Sequence, residues 1–483
     1  MASETPTVPA APGPGGAKFG RDLTTGSIPR HLLVFSLPML AGTALQTAYS
    51  FINAIWVGQF LSKSALAAVT VSFPVVFVLI AIGAGLTLAT TILISQHYGG
   101  RDLAAVRSVV GNSTVLIAVG GLALMIGGEI FTPHILAAMG TPANVMPLAV
   151  GYMRIYLISL PLGFGMFLLR SMLQGIGDST TPLYYLGGAV LLSTVLDPIL
   201  MFGWLGAPKL GLNGTAWATI IAHTIALAAL VARLRRSDNL VAPRLAFKDF
   251  DWSVAWTTIR IGAPSAAQQS LISVSMLFIT GIVNSFGEDA TAAFGAASRV
   301  DQLAFMPAMT FSLAIATLAG QNIGANRHDR IKEILKWGCI LSGGVTLVAS
   351  LLAVCLPRVL LRIFTSEPAV IDIGDDYLRI VGSGYLFFAI MFVGNGIING
   401  SGHTMVTTLI SLLSLWVVRV PLAYMLSGAI GVDGVWYSIP ASFFVSMTVS
   451  MAYYATGWWR RPVVKKRPLP SPAAMFGEET GEG

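Results

Sequence analysis

Twelve apolar stretches, each long enough to cross a bilayer as a helix, decide what this chain can fold into. They run roughly 32–60, 66–96, 107–130, 147–173, 181–204, 212–233, 257–285, 291–318, 337–357, 377–399, 405–427 and 434–458. A spanning helix needs about 20 mostly apolar residues. Only 11% of the 483 residues are charged, against about 25% in a soluble globular protein. A closed barrel is the other way to span a bilayer, but these runs are too long and too continuous for alternating strands. The expected fold class is an all-α polytopic membrane protein with twelve transmembrane helices.

The net charge of +7 would suggest nucleic acid in a soluble protein. Here the basic residues concentrate in alternate loops, which excludes that partner and sets orientation instead. With the N-terminus cytoplasmic, the inner segments hold Lys18, Arg21, Arg30, Arg101, Arg107 and Arg170. They also hold the groups Arg233–Lys248, Arg260, Arg327–Lys336 and Arg460–Arg467. The outer segments hold Lys63, Arg154, Lys209, Arg358, Arg362 and Arg379, and Arg299 and Arg419 remain within helices. A multi-pass plasma (inner) membrane protein with both termini cytoplasmic is expected, monomeric and surrounded by lipid. Residues 1–27 lack an apolar core and read as a disordered tail, not a signal peptide. Residues 460–483, with Lys465, Lys466 and Arg467, read as a second tail beside anionic headgroups. Cys339 and Cys355 share one helix about 24 Å apart along its axis and cannot bridge.

The sequence is written twice. Pro38 is echoed by Pro264, Gln96 and Gly99 by Gln321 and Gly324, and Tyr152 and Arg154 by Tyr377 and Arg379. Gly175 and Gly177 recur as Gly400 and Gly402, and Pro198 as Pro421. Each half holds six helices, an even number, so the repeats enter the membrane in the same direction and are related by an axis along its normal. The expected units are six-helix bundles at 28–236 and 254–459, joined by a cytoplasmic linker at 237–253, around a central cleft suited to alternating access.

Asp197 lies inside the fifth apolar segment, directly before Pro198. A carboxylate at that depth costs about 2.5–3.5 kcal/mol on insertion scales, and such residues usually face a polar cavity. Gln46, Tyr49 and Asn53 share one face of the first helix, and Ser193 shares a face with Asp197 on the fifth. Two polar faces in one apolar half are expected to meet. The second half has Val420 where the first has Asp197, so the constellation is asymmetric. Burial disfavours the charged carboxylate, which lets Asp197 take up and lose a proton. The alternative is an acid that satisfies backbone groups freed by Pro198. Asp301, Met166 and Met172 are weaker candidates for substrate contact, set against structural roles. His223 reads as a packing histidine. No phosphate loop, metal-ligand spacing or nucleophile motif is present, so an enzyme or an ATP-driven pump is not expected, and no cofactor beyond a coupling ion.

Further motifs are Leu37–Pro38–Met39, Leu45–Gln46–Thr47, Trp56–Val57–Gly58, Ile94–Ser95–Gln96 and Gly99–Gly100. To these add Leu173–Gln174–Gly175–Ile176–Gly177–Asp178–Ser179–Thr180–Thr181–Pro182, Leu196–Asp197–Pro198 with Phe202–Gly203, and Gly320–Gln321–Asn322–Ile323–Gly324–Ala325. Over about 28–458 the chain resembles the multidrug and toxic compound extrusion (MATE) transporters, in their DinF-like branch. The resemblance implies a V-shaped antiporter that exports organic, often cationic, small molecules against H⁺ or Na⁺. It implies that Asp197 is the coupling acid, with Ser193, the Thr215 hydroxyl, Gln46 and Tyr49 around it. Pro38 matches a helix-one proline that bends with protonation. The chain departs from the family at Asn53, where a helix-one acid is usual. Neutral Asn53 favours a proton site or a weak Na⁺ site built from Asp197, Ser193, Thr215 and the Asn53 amide. The rival functions are a flippase for a lipid-linked precursor, which needs a basic central cavity, and a membrane receptor or scaffold without transport.

Overall fold

The computed structural model describes residues 20–60, 63–245 and 247–464. The first repeat comprises α1 Ile28–Phe60, α2 Lys63–Gly99, α3 Leu103–Ala138, α4 Met146–Gly175, α5 Thr180–Phe202 and α6 Leu212–Arg236. The second begins with α7 Trp252–Asn284, α8 Glu288–Gly324 and α9 Asp329–Cys355. It continues with the short α10 Pro357–Leu361, then α11 Pro368–Ser383 and α12 Tyr385–Gly400, α13 Thr404–Leu412, α14 Val420–Ile430 and α15 Val432–Thr456. Among the described residues, eleven helical stretches are individually long and apolar enough to span, and α11 with α12 makes a twelfth if the bent pair is one span. The expected all-α membrane-spanning architecture is the observed one, with eleven or twelve spans among the described residues.

Local chemistry sets the ends. Asp102 caps α3 by accepting from the Ala105 N–H at 2.9 Å, and Asp251 caps α7 through Ser253 at 2.9 Å. Gly203 and Gly457 close α5 and α15 in the left-handed conformation. Two features were not foreseen. The tenth span starts at Pro368 rather than 377 and bends by 42° between Ser383 and Tyr385. The residue at the bend is Gly384, where a Cβ would lie 2.5 Å from Cβ of Pro440, so α15 can approach only a glycine there. Between α13 and α14, Leu413–Arg419 forms a π-helical turn. Pro421 follows, and a proline has no N–H for the carbonyl four residues back, which a widened turn accommodates.

The halves are interleaved more than boundaries at 28 and 254 imply. The first turns of α1 (Ile28, Leu32, Phe35, Met39) bury against Phe311, Ile315 and Leu318 of α8 and Ile331 of α9, in the opposite half. Reciprocally, Ile261 of α7 joins the core of the first half, together with Leu240, Val241 and Ala242 of the linker. Further along, α1 returns to its own half, where Gly42 lies beside Leu183 and Leu186 of α5. Pro38 sits in α1 where the helix passes from one half to the other.

One end of the molecule is fastened shut. Gln96, near the end of α2, donates to the Gly400 carbonyl at 2.8 Å, and Gln321, near the end of α8, donates to the Gly175 carbonyl at 3.0 Å. The two bonds are related by the repeat. Gly99 and Gly324 permit them: a Cβ at Gly99 would stand 2.0 Å from the Gln321 carbonyl oxygen, and one at Gly324 1.8 Å from that of Gln96. Residues 20–26 lie across this seam. The Arg21 N–H donates to the Ile176 carbonyl, Leu23 bonds Gln321 and Asn322, and Arg330 donates to the Gly26 carbonyl. The expected disordered tail at 1–27 is therefore corrected for residues 20–27, because Leu23 and Ile28 are buried and the backbone is hydrogen-bonded to both halves. Residues 1–19 lie outside the described residues. So does most of the 460–483 tail, including Lys465, Lys466 and Arg467.

Candidate functional site

Asp197 is fully buried within α5. It lies 17 residues along from Thr180, or about 25 Å of helical rise away from the fastened end. Its Oδ2 accepts from the Asn53 side-chain amide on α1 at 3.4 Å. Its Oδ1 is buried with no hydrogen-bond partner among the described residues. Ser193, one turn earlier, is 1% exposed. The Tyr49 hydroxyl lies 3.4 Å from Thr219 Oγ1 on α6 and has Ser193, Asn53 and Asp197 as its polar neighbours. The polar faces of α1 and α5 thus meet, as the spacing predicts, and α6 closes the third side.

Thr215 is buried, but its hydroxyl donates to the Leu212 carbonyl at 2.9 Å. Thr219, one turn further, carries the hydroxyl that reaches Tyr49. It was missed, although Thr215, Thr219 and His223 make a polar line at helical spacing. His223 is bonded to the Thr219 carbonyl at 2.9 Å, in keeping with a packing role. Gln46 is exposed on α1 and is not among the residues drawn to the carboxylate. Tyr152 and Tyr156 of α4 are unforeseen neighbours: their rings lie 6.3 Å apart, and Tyr152 faces both Tyr49 and Asp197. Their four-residue spacing on an apolar helix was a signal available in the sequence.

The weaker candidates fare differently. Asp301 is 7% exposed in the core of the second half. It accepts from the Tyr377 hydroxyl at 2.5 Å on one oxygen and from the Tyr385 hydroxyl on the other. Arg419 is a charged neighbour of this cluster and itself donates to Ser442 at 2.8 Å while standing over the Phe443 ring. A carboxylate held this way fastens α8 to α11 and α12, the structural role that the sequence reading set against substrate contact. Met172 is fully buried and offers no surface to a ligand, whereas Met166 is half-buried. Arg170, assigned to a cytoplasmic segment in the sequence, lies inside α4 and lines a cavity.

A duplicated bundle with eleven or twelve membrane-crossing segments among the described residues, two halves fastened at one end and a polar site deep in one half, is the architecture of a membrane transporter. The MatE family model matches the chain twice, at residues 38–199 and 264–425, starting at the echoed prolines. The chain belongs to the MatE family, the MATE transporters, a family of transporters rather than enzymes. It is 32% identical over 447 residues to the "Probable multidrug resistance protein YoeA" of Bacillus subtilis (strain 168), covering 91% of this chain and 96% of that one. It is 30% identical to the "Probable multidrug resistance protein YpnP" of the same organism, covering 91% and 97%. Its fold matches a structure described as the outward-facing conformation of a multidrug resistance MATE family transporter of the MOP superfamily. The TM-score is 0.84 and the identity 23%, with 91% of this chain and 97% of that chain covered.

Proposed function

We propose that this chain is a secondary active exporter of organic, drug-like small molecules, driven by inward H⁺ or Na⁺ that binds at Asp197. The observation that carries the proposal is Asp197 Oδ1, a carboxylate oxygen buried among hydroxyls with no partner among the described residues. An unsatisfied buried acceptor is costly. A proton or a small hard cation ligated by Asp197, with the oxygens of Ser193, Tyr49 and Asn53 nearby, removes that cost. Binding and release of the cation would then bias two conformations of the halves. The names of the relatives at 32% and 30% identity support export of drugs.

Alternating access needs a joint, and α1 supplies a candidate. Its first turns pack on the opposite half, its later turns reach Asp197, and Pro38 lies between them. A bend at Pro38 would link the state of the carboxylate to the seam between halves. The fastened end is read as cytoplasmic. On the far side, Arg358 and Arg379 are paired with Asp372 and Asp375, and Arg154 lies 3.5 Å from Glu129. The clustered Arg233, Arg235 and Arg236 lie at the fastened end, as the positive-inside bias requires.

Proteoliposomes with an imposed pH or Na⁺ gradient and a panel of fluorescent dyes test this. Wild-type protein should move dye under one of the two gradients, and Asp197→Asn should move none while remaining folded. Undiminished gradient-driven export by Asp197→Asn would remove the mechanism.

A further inference from the structure

A cavity of about 120 Å³ lies at the seam between α2, α4 and α8, lined by Thr87, Thr91, Arg170, Ser171, Gln174 and Leu313 among others. It is five residues, or about 8 Å of rise, from the fastened end of α4, and so far from Asp197. Its hydroxyl protons are already committed. Thr87 donates to the Gly83 carbonyl, Thr91 to that of Ser171, and Ser171 to that of Leu168. The side chains of Arg170 and Gln174, one turn apart on the same face of α4, have no hydrogen bond or ion pair to another described residue. Among the described residues, no carboxylate lines the cavity. Ionisable side chains inside a membrane protein usually pair with one another or with the backbone, and one facing a cavity marks a solute path.

We propose that this cavity binds an anionic group, held by the Arg170 guanidinium and the Gln174 amide. The planar fork of a guanidinium matches a carboxylate, and the space admits a group of that size. The anion is the acidic group of a transported molecule or a free halide. In the first case the substrates include zwitterionic or acidic amphiphiles, and the inference then rests on the export role proposed above. The cavity lies one to two helical turns from the Gln96 and Gln321 bonds, so its occupant stands beside the fastened end of the seam.

The test is equilibrium dye binding to purified protein in detergent, with no gradient. The probes are a xanthene dye bearing a free carboxylate and its ethyl ester, each measured in chloride and in gluconate buffer. The expected result is about tenfold tighter binding of the acid than of the ester, lost in Arg170→Gln and partly kept in Arg170→Lys. If the acid has no advantage but gluconate weakens ester binding to wild type and not to Arg170→Gln, the anion is a free halide. Gln174→Leu, which leaves the charge in place, should lower either effect about threefold and serves should Arg170→Gln fail to fold. Asp197→Asn should keep the preference for the acid, which separates this site from the coupling step. Variants that match wild type for both dyes in both buffers overturn the proposal.

Discussion

Asp197 and Asp301 are both buried carboxylates on spanning helices, one in each copy of a duplicated bundle, and their surroundings are opposite. Asp301 has each oxygen occupied by a tyrosine hydroxyl and an arginine close by. Asp197 has one oxygen at 3.4 Å from an amide and the other with no partner among the described residues. Burial alone therefore does not mark a functional acid. An acid whose lone pairs are all spoken for is a fastener, and removing it leaves its donors stranded. An acid with an open lone pair in a polar, enclosed setting is equipped to accept something that comes and goes. The repeat supplies one scaffold twice, and the second copy has Val420 where the first has Asp197.

The comparison breaks most decisively at Asp197→Asn. Gradient-driven efflux should fall to the level of empty vesicles, while thermal unfolding in detergent stays close to wild type, because no firm partner is lost. Asp301→Ala should do the reverse. It leaves two buried tyrosine hydroxyls and a neighbouring arginine without their acceptor, a change worth about 3–5 kcal/mol when a buried charged network loses a member. The melting temperature should drop markedly, with efflux per folded molecule retained. If Asp301→Ala abolishes efflux in protein that melts normally, the two acids are not different in kind.

Two tyrosines sharpen the same contrast. Tyr377→Phe removes one of the two donors to Asp301 and should cost about 1.5–3 kcal/mol, the range of a hydrogen bond to a charged group, without changing transport. Tyr49→Phe removes a hydroxyl that lies 3.4 Å from Thr219 Oγ1. It should leave stability within about 0.5 kcal/mol of wild type and slow gradient-driven efflux several-fold. Equal losses of stability in the two variants would dissolve the distinction between a fastened and an open carboxylate.

Much of this was legible in the sequence because helices repeat. Apolar runs gave the spans, and the spacing of Tyr49 with Asn53 and of Ser193 with Asp197 placed side chains on common faces that do meet. What stayed hidden is which face meets which neighbour. Thr215 and Thr219 look alike as positions on α6, and only packing against α1 selects Thr219. Tyr377 and Tyr385 flank a bend, and nothing local says that both hydroxyls converge on Asp301 from 76 and 84 residues away. The bend at Gly384 depends on the approach of Pro440. Arg170 falls within the expected fourth span and counts toward the inner face, but only packing shows that α4 carries it into the seam. The crossing of α1 into the opposite half has no signature in a single helix, since it is a property of the pair.

The smallest expected effect tests where the halves are alike. Gln96 and Gln321 make equivalent bonds across the fastened end. Each bond should contribute about 1 kcal/mol to the closed arrangement, which is roughly a fivefold population shift when it is lost. Symmetry predicts equal effects for Gln96→Ala and Gln321→Ala, but Gln321 also accepts from the Leu23 N–H at 3.0 Å. The strap thus adds to one side only, and Gln321→Ala should open the end about twice as far in free energy as Gln96→Ala. Spin labels at the exposed Arg107 and Lys336, one in each half, report the separation by pulsed electron resonance. A distance distribution unchanged by Gln321→Ala would mean that apolar packing, not these bonds, holds the end shut. Equal shifts in the two variants would mean that residues 20–26 ride on the seam without strengthening it.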